Sequence, residues 1–138
     1  MAHALRLLGT ERAWVVHGAE GIDEISAAGY TKVAECRDGA VHTFYIHPSE
    51  FGMTKVARAS LAGGDAARNA AIIRALLAGE RGGPRDVVVL NAGAALFVAG
   101  VAASVRDGIQ RASDAIDSGA AGHTLDAMVR LSRAEATA

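Results

Sequence analysis

The run Val87–Ala103, VVVLNAGAALFVAGVAA, carries Asn91 as its only strongly polar side chain and dominates what this chain can fold into. Something must cover it. A membrane-spanning helix needs about 20 predominantly apolar residues. This run falls short, is diluted by alanine and glycine, and is bracketed by Asp86 and Arg106. It therefore reads as a helix buried in a protein core rather than a span. Val87–Leu90 alone also suits a buried strand, but the length and alanine content of the run favour helix. The expectation is one buried helix over Arg85–Ala103, with Gly93 and Gly100 as the places where it would bend.

The rest of the chain divides into two halves of different chemistry. Ala13–His17 is a short apolar, β-branched run. TKVAECRDGAVHTFYI holds two β-rich runs joined by Asp38-Gly39, a dipeptide suited to the positive φ of a tight hairpin turn, which predicts a hairpin over about 31–46. His47-Pro48 then ends the ladder, because proline has no N–H to donate. The second half is helical. Asp65 is placed as the N-cap of AARNAAIIRALLAG, with Ile72, Ile73, Leu76 and Leu77 on one face and Gly79 as the stop. Ser104 with Asp107 opens the next helix, whose apolar face carries Ile109, Ala112 and Ile116 and which stops at Gly119. TLDAMVRLSRA repeats the pattern with Leu125, Met128 and Val129.

At 138 residues there is room for one domain. Lysine and arginine (14) nearly balance aspartate and glutamate (15), and no basic stripe with interleaved aromatics suits a phosphate backbone, so nucleic acid is not an expected partner. Membrane association is not expected either. Cys36 is the sole cysteine, which excludes an internal disulfide framework and a cysteine-ligated zinc site. A lone thiol and the lack of a signal-like opening, with Arg6 inside Met1–Gly9, point to the cytoplasm.

Five blocks in order, RAWVVHGAEGIDEIS, the hairpin, LAGGDAARNAAIIRALLAG, RDVVVLNAGAALFVAG and AIDSGAA, resemble the C-terminal part of the anthranilate phosphoribosyltransferase family. The resemblance implies an α/β fold of the type II nucleoside phosphorylase kind. In that fold a mixed sheet containing the hairpin occupies the first half, a helical cluster the second, and the DVVVLNA block is helix. Residues 1–138 would then be the C-terminal part of a catalytic α/β domain. The N-terminal helical domain and the phosphate-loop region of the family have no counterpart here. The family's Gly-Thr-Gly-Gly-Asp loop is not LAGGD at 61–65, where Ala62 stands in place of the threonine and a helix follows at once. His17-Gly18 likewise lacks the neighbours of the family's Lys-His-Gly-Asn segment.

Asp23 and Glu24 are the candidate metal ligands. Two adjacent carboxylates in a glycine-bordered loop supply the hard oxygens that Mg²⁺ takes, with waters and substrate oxygens completing its shell. Spacing alone suits a solvated acidic pair as well; the resemblance implies Mg²⁺. It also implies phosphoribosyl pyrophosphate and anthranilate as substrates of the intact enzyme. No residue of this chain is a candidate catalytic group, and the chain alone is expected to be inactive. Glu20 is expected to be exposed and not a ligand. His17 fits a strand-end histidine better than a phosphate contact, and His3, His42, His47 and His123 form no set. Asn69 and Asn91, on otherwise apolar helices, are expected to hydrogen-bond a neighbouring loop or helix. Exposed apolar faces predict self-association or a homo-oligomer. The alternatives are a nucleoside phosphorylase-like fragment and a non-catalytic scaffold or partner-binding module.

Overall fold

The computed structural model describes residues 1–135. A short helix, α1 (Ala2–Leu7), leads into three strands, β1 (Arg12–Gly18), β2 (Thr31–Arg37) and β3 (Ala40–Ile46). Two 3₁₀ turns (Pro48–Phe51 and Arg58–Leu61) connect the sheet to α2 (Ala66–Leu77), α3 (Gly83–Val98), α4 (Val105–Asp117) and α5 (Ala120–Glu135). The strands lie in the order β1-β2-β3 and pair only antiparallel, so among the described residues the expected mixed sheet is a three-stranded meander. No parallel strand or crossover occurs among these residues.

The hairpin forms where expected. Asp38 (φ 51°) and Gly39 (φ 74°) take the two left-handed positions of a two-residue turn whose twist matches the flanking strands. Side chains alternate across the sheet. Trp14, Val16, Val33, Phe44 and Ile46 face the helices and pack with Leu90, Ala94 and Val105 in the main core. Cys36 points to the opposite side, where it is fully buried and its thiol lies 3.5 Å from the Thr10 carbonyl below α1. Trp14 meets Phe44 and Phe97 edge-on, with centroids 5.6 Å apart in both pairs, and its indole N–H donates to Glu35 at 2.8 Å.

The apolar run is a helix, as its length predicts, but it is shorter than expected. It ends at Val98, and Gly100 takes φ 73°, a left-handed conformation that closes the helix and turns residues 101–104 toward the next. Gly93 serves packing rather than a bend. Backbone of α4 lies where its side chain would be, and Gly108 of α4 meets Gly93 in the same way, so two glycines let α3 and α4 cross at close range. Arg85, 3% exposed, ties the start of α3 to α4 by donating to Ser113 Oγ (2.8 Å) and Asp117 Oδ1 (2.9 Å). No described helix is long and apolar enough to cross a membrane.

The caps follow the sequence. Asp65 accepts from the Arg68 N–H (2.8 Å), Ser104 accepts from the Asp107 N–H (3.1 Å), and Gly79 and Gly119 stand at positive φ after their helices. Some apolar positions depart from expectation. Ile73 is 45% exposed and Met128 61% exposed, and within the run expected to be buried Val88 is 39% and Val101 56% exposed, because the apolar surface of these segments is wider than what the other described elements present to it.

Candidate metal loop and adjoining cleft

Residues 19–30, between β1 and β2, form the loop that carries Asp23 and Glu24. Its base is closed by backbone. The Gly18 N–H donates to the Ile22 carbonyl (3.0 Å), Gly21 to Gly18 (2.9 Å) and Ala19 to Tyr30 (2.8 Å). Gly21 takes φ 84°, a turn conformation that glycine adopts without strain. The far side of the loop is held by a buried polar cluster. The Ser26 N–H donates to Thr31 Oγ1 (2.8 Å), Ser26 Oγ donates to Glu20 Oε2 (2.9 Å), and the Ala28 N–H donates to Ser26 Oγ (3.0 Å).

Glu20 corrects an expectation. It is half-buried, clasps Ser26 and lies against Gly29, whose missing side chain makes the space. A loop with a buried serine needs an acceptor inside it, and Glu20 supplies one. Nothing in the spacing of Glu20, Ser26 and Gly29 shows this, because the contact exists only once the loop has folded back on itself.

The two carboxylates themselves are exposed, and among the described residues neither takes a hydrogen bond nor an ion pair. They are free to bind. Asn91 of α3 grips the next residue. Its Nδ2 donates to the Ile25 carbonyl (2.9 Å) and its Oδ1 accepts from the Ile25 N–H (2.9 Å), while a second Nδ2 hydrogen bond reaches the Val87 carbonyl one turn back (3.0 Å). The Ile25 side chain is 3% exposed in the core. The loop does follow the carboxyl end of β1, as expected. The ligand-site rule for parallel open sheets does not account for it, because this sheet is antiparallel; the hold of α3 does.

Glu24 also lines a cleft of about 550 Å³ with Ala62, Gly63, Asn69, Ile73 and Val87; Asp23 does not. The opposite wall is the LAGGD segment. There Asn69, exposed rather than buried, accepts from the Gly64 N–H (2.8 Å) and donates to the Gly64 carbonyl (3.0 Å). The glycine pair is thus bound into the N-terminus of α2. Near the start of α3, burial raises the Asp86 carboxyl above its ordinary value, opposed by the charges of Arg85 and Arg81. Among the described residues no three histidine, cysteine, aspartate or glutamate side chains converge on one point. His17 is exposed at the end of β1. Two carboxylates with open oxygens suit a hard cation that takes the rest of its shell from water and substrate, and do not suit a closed protein cage.

Known proteins share this sequence pattern and fold. Residues 1–122 match the family model described as glycosyl transferase family, a/b domain. The anthranilate phosphoribosyltransferase of Azorhizobium caulinodans is 54% identical over 134 residues, covering 97% of this chain and 39% of that protein. That of Myxococcus xanthus is 55% identical over 129 residues, covering 93% and 38%. The anthranilate phosphoribosyltransferase structure from Thermus thermophilus superposes with a TM-score of 0.85 at 38% identity, over 96% of this chain and 39% of that one. The Saccharomyces cerevisiae enzyme in complex with PRPP and Mg superposes with a TM-score of 0.80 at 26% identity, over 91% and 36%. The chain spans about 39% of the length of the curated relatives it matches. These relatives do not favour the nucleoside phosphorylase-like or scaffold alternatives. By its sequence match and its superposition, this chain belongs to the glycosyl transferase family as a stretch of its a/b domain.

Proposed function

We propose that this chain is the C-terminal part of an anthranilate phosphoribosyltransferase and that it contributes the metal carboxylates of the leaving-group site. The observation that carries the proposal is the pair Asp23 and Glu24, unengaged by any described residue and presented on a loop whose backbone is held from both sides. The yeast neighbour in complex with PRPP and Mg supports the choice of ion. In the intact enzyme the amine of anthranilate attacks the anomeric carbon of phosphoribosyl pyrophosphate. A C–N bond forms as the C–O bond to pyrophosphate breaks, and the amine proton passes to solvent or to a base outside this chain. Bound Mg²⁺ supplies neutralisation of the charge that grows on the departing diphosphate. Asp23 and Glu24 hold it. Leu61, Ala62 and Gly63 of the LAGGD segment and Ile73 bound the cleft beside Glu24. No side chain here acts as a nucleophile, and catalysis rests on positioning and charge stabilisation. A cytoplasmic setting and self-association belong to the same proposal; Leu7, Leu8, Val101 and Leu131 are all more than half exposed.

The test is a chimera in which this chain replaces the matching segment of the Azorhizobium caulinodans enzyme, 54% identical to it. The chimera should consume anthranilate, followed by its fluorescence, in a Mg²⁺-dependent manner. Asp23→Ala and Glu24→Ala should each lower kcat/KM by at least about 100-fold, a loss of about 2.7 kcal/mol of transition-state stabilisation. The 138-residue chain alone should give no product. Turnover by the lone chain would refute the fragment reading, and a chimera indifferent to both substitutions would refute the metal assignment.

A further inference from the structure

We infer that Asn91 is a positioning residue for the metal loop, an inference that rests on the reading of Asp23 and Glu24 as ligands. The Ile25 N–H belongs to the peptide unit that begins at the Glu24 carbonyl carbon. Holding that N–H and the next carbonyl at 2.9 Å each sets the plane of the backbone directly beside the carboxylate. Loop residues 22–24 receive no hydrogen bond from the described helices, so the bonds to Ile25 are the nearest hold on them from outside; their own one is Gly18 N–H, at the end of β1, to the Ile22 carbonyl. The link is long in sequence, 66 residues, so it relates two elements that nothing local relates.

The chemistry of the grip is specific to an amide. Ile25 offers one donor and one acceptor side by side, and a primary carboxamide presents the complementary acceptor and donor at the same spacing. The bond from Nδ2 to the Val87 carbonyl holds the side chain in that orientation, and Leu90 and Ala94, at 0% and 4% exposure, hold the helix. Aspartate at 91 would keep the shape but aim a carboxylate at the Ile25 and Val87 carbonyls. Alanine would leave the N–H and C=O of Ile25 without a partner. Either way the Ile25 side chain stays anchored in the core while the peptide beside Glu24 is released. The carboxylates then sample many orientations, and a weak two-ligand site loses affinity with no ligand removed.

The experiment uses the ¹⁵N-labelled chain and Mn²⁺ alone as a paramagnetic probe, read by broadening of individual amide signals. In the wild-type chain broadening should centre on residues 22–25 and vanish in Asp23→Ala/Glu24→Ala. In Asn91→Asp the Mn²⁺ concentration for half-broadening should rise about tenfold or more, the range seen when groups that orient metal ligands are lost. The amide shifts of Val33, Leu90 and Ala94 should stay in place. Asn91→Ala should behave alike, and Asn91→Gln, which keeps an amide on a longer arm, should recover part of the affinity. A tenfold rise in either variant whose core amides stay in place supports the inference, so a variant that fails to fold leaves the other to decide it. An Asn91→Asp chain that keeps its core shifts and binds Mn²⁺ at residues 22–25 as tightly as wild type overturns the positioning role and leaves the metal loop intact. Wild-type broadening that ignores Asp23 and Glu24 overturns the metal reading, and the positioning role with it.

Discussion

Asn69 and Asn91 perform the same chemistry on two helices, yet their settings differ: Asn69 lines the cleft beside Glu24, and Asn91 lies outside it against Ile25 and Trp14. Asn69 sits on the first turns of α2, is exposed, and clasps Gly64 five residues away. Asn91 sits midway along α3, is half-buried, and clasps Ile25 66 residues away. One closes a local loop onto its own helix, whereas the other joins a helix to the β1–β2 loop across the core. The local clamp competes with water at every moment. The long-range clamp satisfies groups that are shielded from water, so losing it leaves an unpaired N–H and C=O beside the carboxylates.

The largest expected effect lies in the framework that holds the long-range clamp. Gly108→Ala would drive a methyl group into the Gly93 carbonyl at the crossing of α3 and α4, where both neighbours are backbone and cannot yield. Loss of about 3 kcal/mol is expected, measured by urea unfolding. If the variant unfolds at the wild-type midpoint, α3 is not seated as described and the contrast between the clamps collapses. Next comes the direct comparison. Asn91→Ala should lose about 2 kcal/mol and Asn69→Ala about 0.5 kcal/mol, because only the first leaves shielded backbone groups unpaired. Equal losses in the same unfolding measurement would show that burial does not separate them.

The smallest effect concerns another local device, the cap of α4. Asp107 accepts from the Arg111 side chain (3.0 Å) and from the Ala103 N–H (2.9 Å), and these hold its carboxyl below the ordinary aspartate range. A carboxyl lowered in the folded state stabilises above its unfolded value, about pH 4, and loses that stabilisation as pH falls through the folded value. Asp107→Asn should therefore lower Tm slightly at pH 7, change it least at low pH, and so flatten the acid side of a plot of Tm against pH. Asp86, raised by burial, acts with the opposite sign; it takes up its proton more readily when folded and offsets part of that acid loss. An acid limb unchanged in Asp107→Asn would remove this cap from the account.

Local devices were legible in the sequence, and long-range ones were not. Asp38-Gly39, Asp65, Gly79, Ser104 and Gly119 stand where they were expected, since each works through hydrogen bonds or backbone angles within a few residues. Asn69 and Asn91 were expected to bond neighbouring segments and do so. Which segment, and which peptide, was out of reach. The sequence reads Glu20 as exposed because its clasp on Ser26 depends on the folded loop. The apolar pattern runs on through Gly100 in alanine and valine, whereas the reversal toward α4 satisfies the packing of two helices and not the propensity of one.

What the sequence by itself determined about this protein is the period of each element, the caps that end it, and a resemblance strong enough to single out Asp23 and Glu24. Those properties follow from steric and hydrogen-bonding rules that act over one or two turns of chain. Only the tertiary structure decided that the sheet in this stretch is wholly antiparallel and that two glycines mark the α3–α4 crossing. It also decided that an asparagine 66 residues downstream holds the loop between β1 and β2. Each of these depends on surfaces far apart in the chain meeting as they bury apolar area. That burial is non-directional, so no local pattern specifies which pair will meet.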